Sequence, residues 1–143
     1  MPDIVHSIQV EAGPGTLFPL VASGAGFQTW WAEDVSTAPD GKVELGFFRR
    51  TTVYRLRPVS LKAGRKAVWQ CETGQEWNGT RLVFDLEPRS PATLVRFSHA
   101  GWNSATDFFV SCNTTWGELM FRLKAAAEGK KPGPLFLADR LAY

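Results

Sequence analysis

Apolar and polar positions alternate almost from the start of the chain: Ile4, His6, Ile8 and Val10 share one parity, and Val5, Ser7, Gln9 and Glu11 share the other. A period of two is what a half-buried strand requires, because successive side chains point to opposite faces. Glycine and proline in "AGPGTLFPLVAS" end that strand and lead into one short helix, and "GFQTWWAED" predicts a second that ends near Glu33. "STAPDG" reads as a polar turn. From there to residue 101 the chain is strand-like, in segments 42–48, 51–61, 66–74, 80–88 and 93–101 separated by short turns. Sequence neighbours should therefore pair antiparallel. Asn78-Gly79 in "EWNGTRLVF" favours the positive backbone angles of a two-residue hairpin turn, and "LKAGRK" supplies another. Alternation assigns Leu82, Phe84 and Leu86 to the inner face of one strand, Val95, Phe97 and His99 to that of the next, and Trp69, Cys71 and Thr73 to that of the one before.

The period then changes. Phe109, Cys112, Trp116, Leu119, Met120 and Leu123 recur at spacings of three and four, the mark of a long helix with one buried side. Ser104, with Asp107 three residues on, reads as its N-cap, and Gly129 as its C-terminal stop. The buried side is mixed, carrying a thiol and an indole where a helix that only closed a core would be aliphatic. A tail, "KKPGPLFLADRLAY", follows. Its Leu135, Phe136 and Leu137 are too apolar to hang free, so residues 130–143 should pack back on the domain or on a partner.

Composition narrows this α+β outline of about six strands and one long C-terminal helix. At 143 residues the chain is the size of one domain, expected here to span 1–143 with its core at about 4–129. Six tryptophans and 13% aromatic content must be housed inside it. The net charge of +2 is mild, and lysine and arginine never run beyond pairs such as Arg49-Arg50, which argues against a nucleic-acid partner. No apolar run reaches the ~18 residues of a membrane span, and "MPDIVHSIQVEA" lacks the plan of a signal peptide, so membrane insertion is not expected and the cytoplasm is. Cys71 and Cys112, without a CxxC spacing, should be reduced, partly buried thiols.

The order strand, two short helices, antiparallel strands, long C-terminal helix resembles the helix-grip fold of the START-like (SRPBCC) superfamily, which includes the major birch-pollen allergen, lipid-transfer START domains and bacterial polyketide cyclases. Within it, "TWWAEDV", "GKVELGFF", "WNGTRLVFDLEP", "SHAGW" and "TTWGELMFRLKAAAEG" look like the branch named after activators of the heat-shock chaperone ATPase. The likeness spans residues 4–129 and rests on the order and spacing of these short motifs. It implies a curved sheet wrapped around the last helix with a hydrophobic cavity between them. Such a cavity explains the mixed face, since a helix side turned toward it need not be packed to core density. Regulation of a chaperone is the remotest implication, because the eukaryotic activators also use a separate N-terminal domain.

The candidate chemistry is sparse. His99, on the inner parity at the end of a strand, could hydrogen-bond a ligand or act as acid or base; His6 should lie level with it. Two histidines and two scattered cysteines offer no metal spacing, no cofactor motif occurs, and no carboxylate pair suggests hydrolysis. The expected ligand-binding set is Trp30, Tyr54, Trp69, Phe84, Phe97, His99, Phe109, Cys112 and Trp116, lining a cavity for a small hydrophobic or aromatic molecule. The alternative is a cyclase- or aromatase-like enzyme with His99 as acid/base and Tyr54 or Asn103 as helpers. A third reading is an interaction face built on Arg49, Arg50, Arg55, Arg57, Lys62, Arg65 and Lys66. A homodimer is compatible with all three.

Overall fold

A computed structural model describes residues 1–143. In chain order the elements are β1 (Ile4–Val10), α1 (Pro14–Val21), α2 (Gly24–Gln28), β2 (Asp34–Thr37), β3 (Val43–Phe47), β4 (Thr52–Lys62), β5 (Lys66–Cys71), β6 (Arg81–Arg89), β7 (Ala92–Ala100) and α3 (Asp107–Ala127). The strands form one antiparallel sheet in the order β1-β7-β6-β5-β4-β3-β2. This is the helix-grip arrangement, with α3 as the long C-terminal helix.

The sheet has seven strands where the hydrophobic pattern predicts six. The extra one is β2, which pairs with β3 from Asp34↔Gly46 to Thr37↔Val43 and covers residues otherwise readable as a turn. Its four residues hold only one apolar side chain, Val35, so an edge strand of this kind carries no alternation to read. On the inner face Ala67, Trp69 and Cys71 of β5, Leu82, Phe84 and Leu86 of β6, and Val95, Phe97 and His99 of β7 are all buried, as the parity argument requires; Thr73 departs from it, lying past the end of β5 with its hydroxyl accepting from the Arg55 amide and donating to the Val53 carbonyl.

α3 presents Cys112, Trp116, Leu119, Met120, Leu123 and Ala127 to that face. Its N-cap is Thr106 rather than Ser104. The Thr106 hydroxyl accepts from the Phe109 amide at 3.2 Å and itself donates to Glu76 at 2.5 Å, so a contact with a distant loop selects the cap. Gly129 follows the helix at φ +82, in the left-handed conformation that ends it. α2 stops at Gln28, short of the predicted Glu33, because the carbonyls of Trp30 and Trp31 accept from the amides of Leu135 and Phe136 instead of continuing a helix. The tail thereby lies along residues 30–33, with a parallel bridge between Ala32 and Phe136 and with Leu135 buried. α1 and α2 meet at Gly26, where an added Cβ would lie 2.1 Å from the Pro19 carbonyl oxygen.

Asn78-Gly79 does not make a two-residue hairpin. Pairing of β5 with β6 begins at Gln70↔Arg81, and residues 72–80 form a compact loop closed by hydrogen bonds from the Gly79 amide to Cys71 and from the Cys71 amide to Thr80. The loop is long because Trp77 folds inward and is 5% exposed. Burying an indole outweighs the tighter turn.

Candidate functional site

A cavity of about 290 Å³ opens between the end of β3, the start of β4, the 72–80 loop, the N-terminal half of α3 and the tail. Its walls are Trp31, Phe47, Phe48, Thr52, Tyr54, Trp77, Phe108, Ser111, Cys112, Thr115, Trp116, Phe136 and Leu141. None of these side chains carries a charge at neutral pH. Two other hollows, of about 340 Å³ around Ser36 to Glu44 and about 630 Å³ around Lys62 to Pro88, are lined chiefly by polar and charged surface residues. Burial of an apolar molecule therefore points to the first.

The aromatic walls are stacked. Tyr54 lies flat on Trp77 with ring centres 3.9 Å apart and planes 8° apart, and Trp116 continues the layer at 6.2 Å and 21°. Gly74 makes room for this, since at φ +96 it lies where a Cβ would be 2.6 Å from the Tyr54 ring. Opposite, Phe136 of the tail meets Phe47 edge-on at 4.9 Å. The rim contains a run of three left-handed residues, Phe48, Arg49 and Arg50, at φ 51, 57 and 64. Each such residue costs roughly 1–2 kcal/mol. The run is held by Arg50, whose guanidinium meets Asp34 at 2.9 Å and also Glu44, and by the Arg49 amide, which donates to the Ala138 carbonyl at 2.6 Å.

Of the residues that alternation and helical spacing single out, Tyr54, Cys112 and Trp116 stand on the cavity wall. Trp30, Trp69, Phe84 and Phe97 are instead fully buried in a continuous aromatic core beneath it, where Phe27, Trp30 and Phe84 meet at 6.0 to 6.5 Å. Phe109 packs edge-on against Trp102 at 5.1 Å, away from the cavity. The indoles of Trp30 and Trp69 are consumed structurally, donating to the carbonyls of Leu20 and Val21 at 2.9 Å. His6 lies opposite Phe97 on β1, beside Gly117.

His99 differs most from its expected place. It is fully buried, behind Trp77 and Trp116 rather than on the cavity surface. Trp116 Nε1 donates to His99 Nδ1 at 3.1 Å, which leaves the proton on Nε2; that group faces the Thr80 hydroxyl at 2.8 Å, and the hydroxyl in turn donates to the Trp77 carbonyl at 2.5 Å. Every polar atom of the neutral imidazole is satisfied, and burial pushes its pKa down to about 3. The ring positions two cavity tryptophans and is not free to exchange protons with a ligand. Burial likewise pushes the Tyr54 hydroxyl up, and the Cys112 thiol up to about 11. Both stay neutral and Cys112 is a poor nucleophile.

The basic residues of the convex face form a ladder of ion pairs across strands. Arg50 reaches Asp34 and Glu44, Arg55 reaches Glu44 at 3.8 Å, and Arg57 and Lys42 flank Glu72 at 3.4 and 3.1 Å. That arrangement pairs Arg50, Arg55 and Arg57 with carboxylates, whereas Lys62, Arg65 and Lys66 of the same basic set make no ion pair. No three His, Cys, Asp or Glu side chains converge as metal ligands, and no helix is long and apolar enough to cross a membrane.

Trp31, Phe47, Phe48, Trp77, Phe108 and Phe136 complete the aromatic wall and lie outside the expected ligand-binding set. Only Phe47 and Phe136 had a signal, the first in a strand and the second in an apolar tail. Trp77 and Phe48 reach the cavity through irregular loops, which have no period.

No family model and no curated protein matches the chain. Solved structures do. The solution structure of the Aha1 dimer from Colwellia psychrerythraea is 30% identical, covers 92% of this chain and 99% of its own, and superposes with a TM-score of 0.81. Protein MLL2253 from Mesorhizobium loti is 11% identical over 89% of this chain and 97% of its own, with a TM-score of 0.75. CalU16 from Micromonospora echinospora is 14% identical over 92% and 68%, with a TM-score of 0.72. At those lower identities the two share the fold.

Proposed function

Because the chain belongs to the START-like (SRPBCC) superfamily, in the branch of the Aha1-type activator homologues, we propose that it uses the family's cavity to bind a small hydrophobic or aromatic molecule. The observation that carries this reading is the wall itself: ten of its thirteen residues are hydrophobic, and the rest are hydroxyls of Thr52, Ser111 and Thr115. Apolar surface left at a cavity is a driving force for whatever can cover it.

Catalysis of the cyclase kind would need a group that moves protons near pH 7. The group with the right intrinsic pKa, His99, is sealed behind Trp77 and Trp116 and held neutral, and the wall's own Tyr54 and Cys112 are shifted away from neutrality. Binding without committed chemistry is therefore the reading the geometry favours. The Colwellia relative is a dimer, and we extend the same state to this chain as part of the proposal; sedimentation velocity measures it directly.

Native mass spectrometry of freshly purified protein tests the binding reading. A co-purifying adduct that is lost on denaturation is the expected result. A bare mass, together with no binding across a panel of one- to three-ring aromatic and fatty probes, would overturn it.

A further inference from the structure

β1 is an edge of the sheet, and part of that edge is open. In an antiparallel pair the N–H and C=O of one residue point the same way, and the direction alternates along the strand. The Pro2 carbonyl accepts from the Trp102 amide, so the even positions of β1 turn toward β7. The odd positions turn outward: the Gln9 carbonyl is met by Lys124 Nζ at 3.0 Å and the Glu11 amide by the Glu128 carboxylate at 2.8 Å. Nearer the start of the strand that cover stops, and the outward backbone groups of Val5 and Ser7 have no partner. The opposite edge is treated differently. β2 is four residues long, and the Gln28 side-chain amide donates to the Glu33 and Val35 carbonyls at 3.2 and 3.4 Å. An open edge is a template for another strand, which native proteins otherwise cover or blunt.

The surface beside the gap is apolar. Val5 is 69% exposed, as are Val110 at 55% and Phe121 at 65% on the outer side of α3. α3 runs alongside β1 in the same direction, with Gly117 beside His6 and Lys124 beside Gln9. The edge is also self-complementary. A two-fold axis at His6 pairs Val5 with the second copy's Ser7, and the two residues exchange both backbone hydrogen bonds. The same register sets the exposed Asp3 opposite the second copy's Gln9, whose carbonyl holds Lys124, so opposite charges meet. It brings the two α3 helices together antiparallel near Gly117, where the missing side chain admits close approach, with each Phe121 over the 110–114 turn of the other. His6 Nε2, buried with no hydrogen-bond partner in its own chain, comes level with a second imidazole across the axis.

We infer that the free edge of β1 is a dimer interface: a second copy of this chain adds its own β1 there about a two-fold axis at His6, making one continuous sheet with the outer sides of α3 packed together over the join. The inference rests on the dimeric state proposed above and assigns the surface that makes it.

The test uses sedimentation velocity and cross-linking on the full chain. The original chain is expected to sediment as a dimer. Ser7→Pro removes an outward N–H and leaves the ladder to β7 intact, as prolines on edge strands do, and it is expected to raise the dimer dissociation constant about tenfold or more. Phe121→Glu, at an exposed helix position, is expected to do the same, and it decides if Ser7→Pro does not fold. His6→Cys is expected to form an intermolecular disulfide on mild oxidation, because residues facing each other at non-hydrogen-bonded positions bring their Cα atoms to about 4.5 Å. Cys71 and Cys112 are buried, so the original chain serves as the blank. A dimer undiminished in folded Ser7→Pro or Phe121→Glu, or a His6→Cys chain that stays uncross-linked, overturns the assignment and leaves the dimer reading intact. A monomeric original chain overturns both.

Discussion

His99 illustrates how a single residue can look functional by parity and prove structural by depth. Its ring takes a proton from neither side: Nδ1 is occupied by the Trp116 N–H and Nε2 by Thr80. A histidine whose folded pKa is near 3, against about 6.5 when unfolded, stays neutral in the native state while the unfolded chain protonates. Its contribution to stability is thus complete above pH 6.5 and is lost as pH falls toward 3, at roughly 1.4 kcal/mol per pH unit within that window. His99→Ala should remove the ring and strand the Trp116 N–H, costing about 3 kcal/mol at pH 7. Urea unfolding at pH 7 and at pH 4.5 measures both effects. The variant should lose less stability between those values than the original protein does. Equal losses would mean that the imidazole is not held neutral.

Among the elements, the tail carries the clearest expectation. Leu135 is 2% exposed, its amide donates to the Trp30 carbonyl, and Phe136 bridges Ala32, so the segment behaves as a short extra strand laid on residues 30–33. Leu135→Ala should cost about 2–5 kcal/mol, and the amides of Leu135 and Phe136 should exchange slowly. Exchange at free-peptide rates in 134–136 would show that the tail is not docked. Its apolar content announced this docking, but not the place, because "PLFL" has no period that names a partner. The same contrast runs through the fold. Leu82/Phe84/Leu86 and the 109–123 helix are legible because burial repeats at a fixed interval. β2, with Val35 alone, and the 72–80 loop, with Trp77 drawn inward, are settled by tertiary packing. The site suffers from a related ambiguity. Parity puts Trp69, Phe84 and Phe97 on the same face as Tyr54, but it says nothing about where along the strands α3 comes close. There the rings interlock; toward the β3–β4 end the walls diverge and the cavity opens.

At the scale of the whole molecule, the cavity is shared property. Its wall draws on the sheet, the 72–80 loop, α3 and the tail, which also meet in a core cluster that includes Trp31, Tyr54, Trp77, Trp116 and Leu135. A guest in it touches elements that must all separate when the chain unfolds, so its binding energy should register against global unfolding and not merely against opening of the rim. Held at 100 times its dissociation constant, a ligand should add about 2.7 kcal/mol to stability, with the thermal midpoint rising accordingly. Trp31, Trp77 and Trp116 line the cavity while Trp30, Trp69 and Trp102 do not, so the emission should change in intensity and wavelength in parallel with the midpoint, and Trp77→Phe should diminish that optical change. A guest that altered fluorescence without raising the midpoint would be sitting on the outside of the rim, around Phe48 and Phe108, and the idea of an internal site shared by all four elements would have to be abandoned.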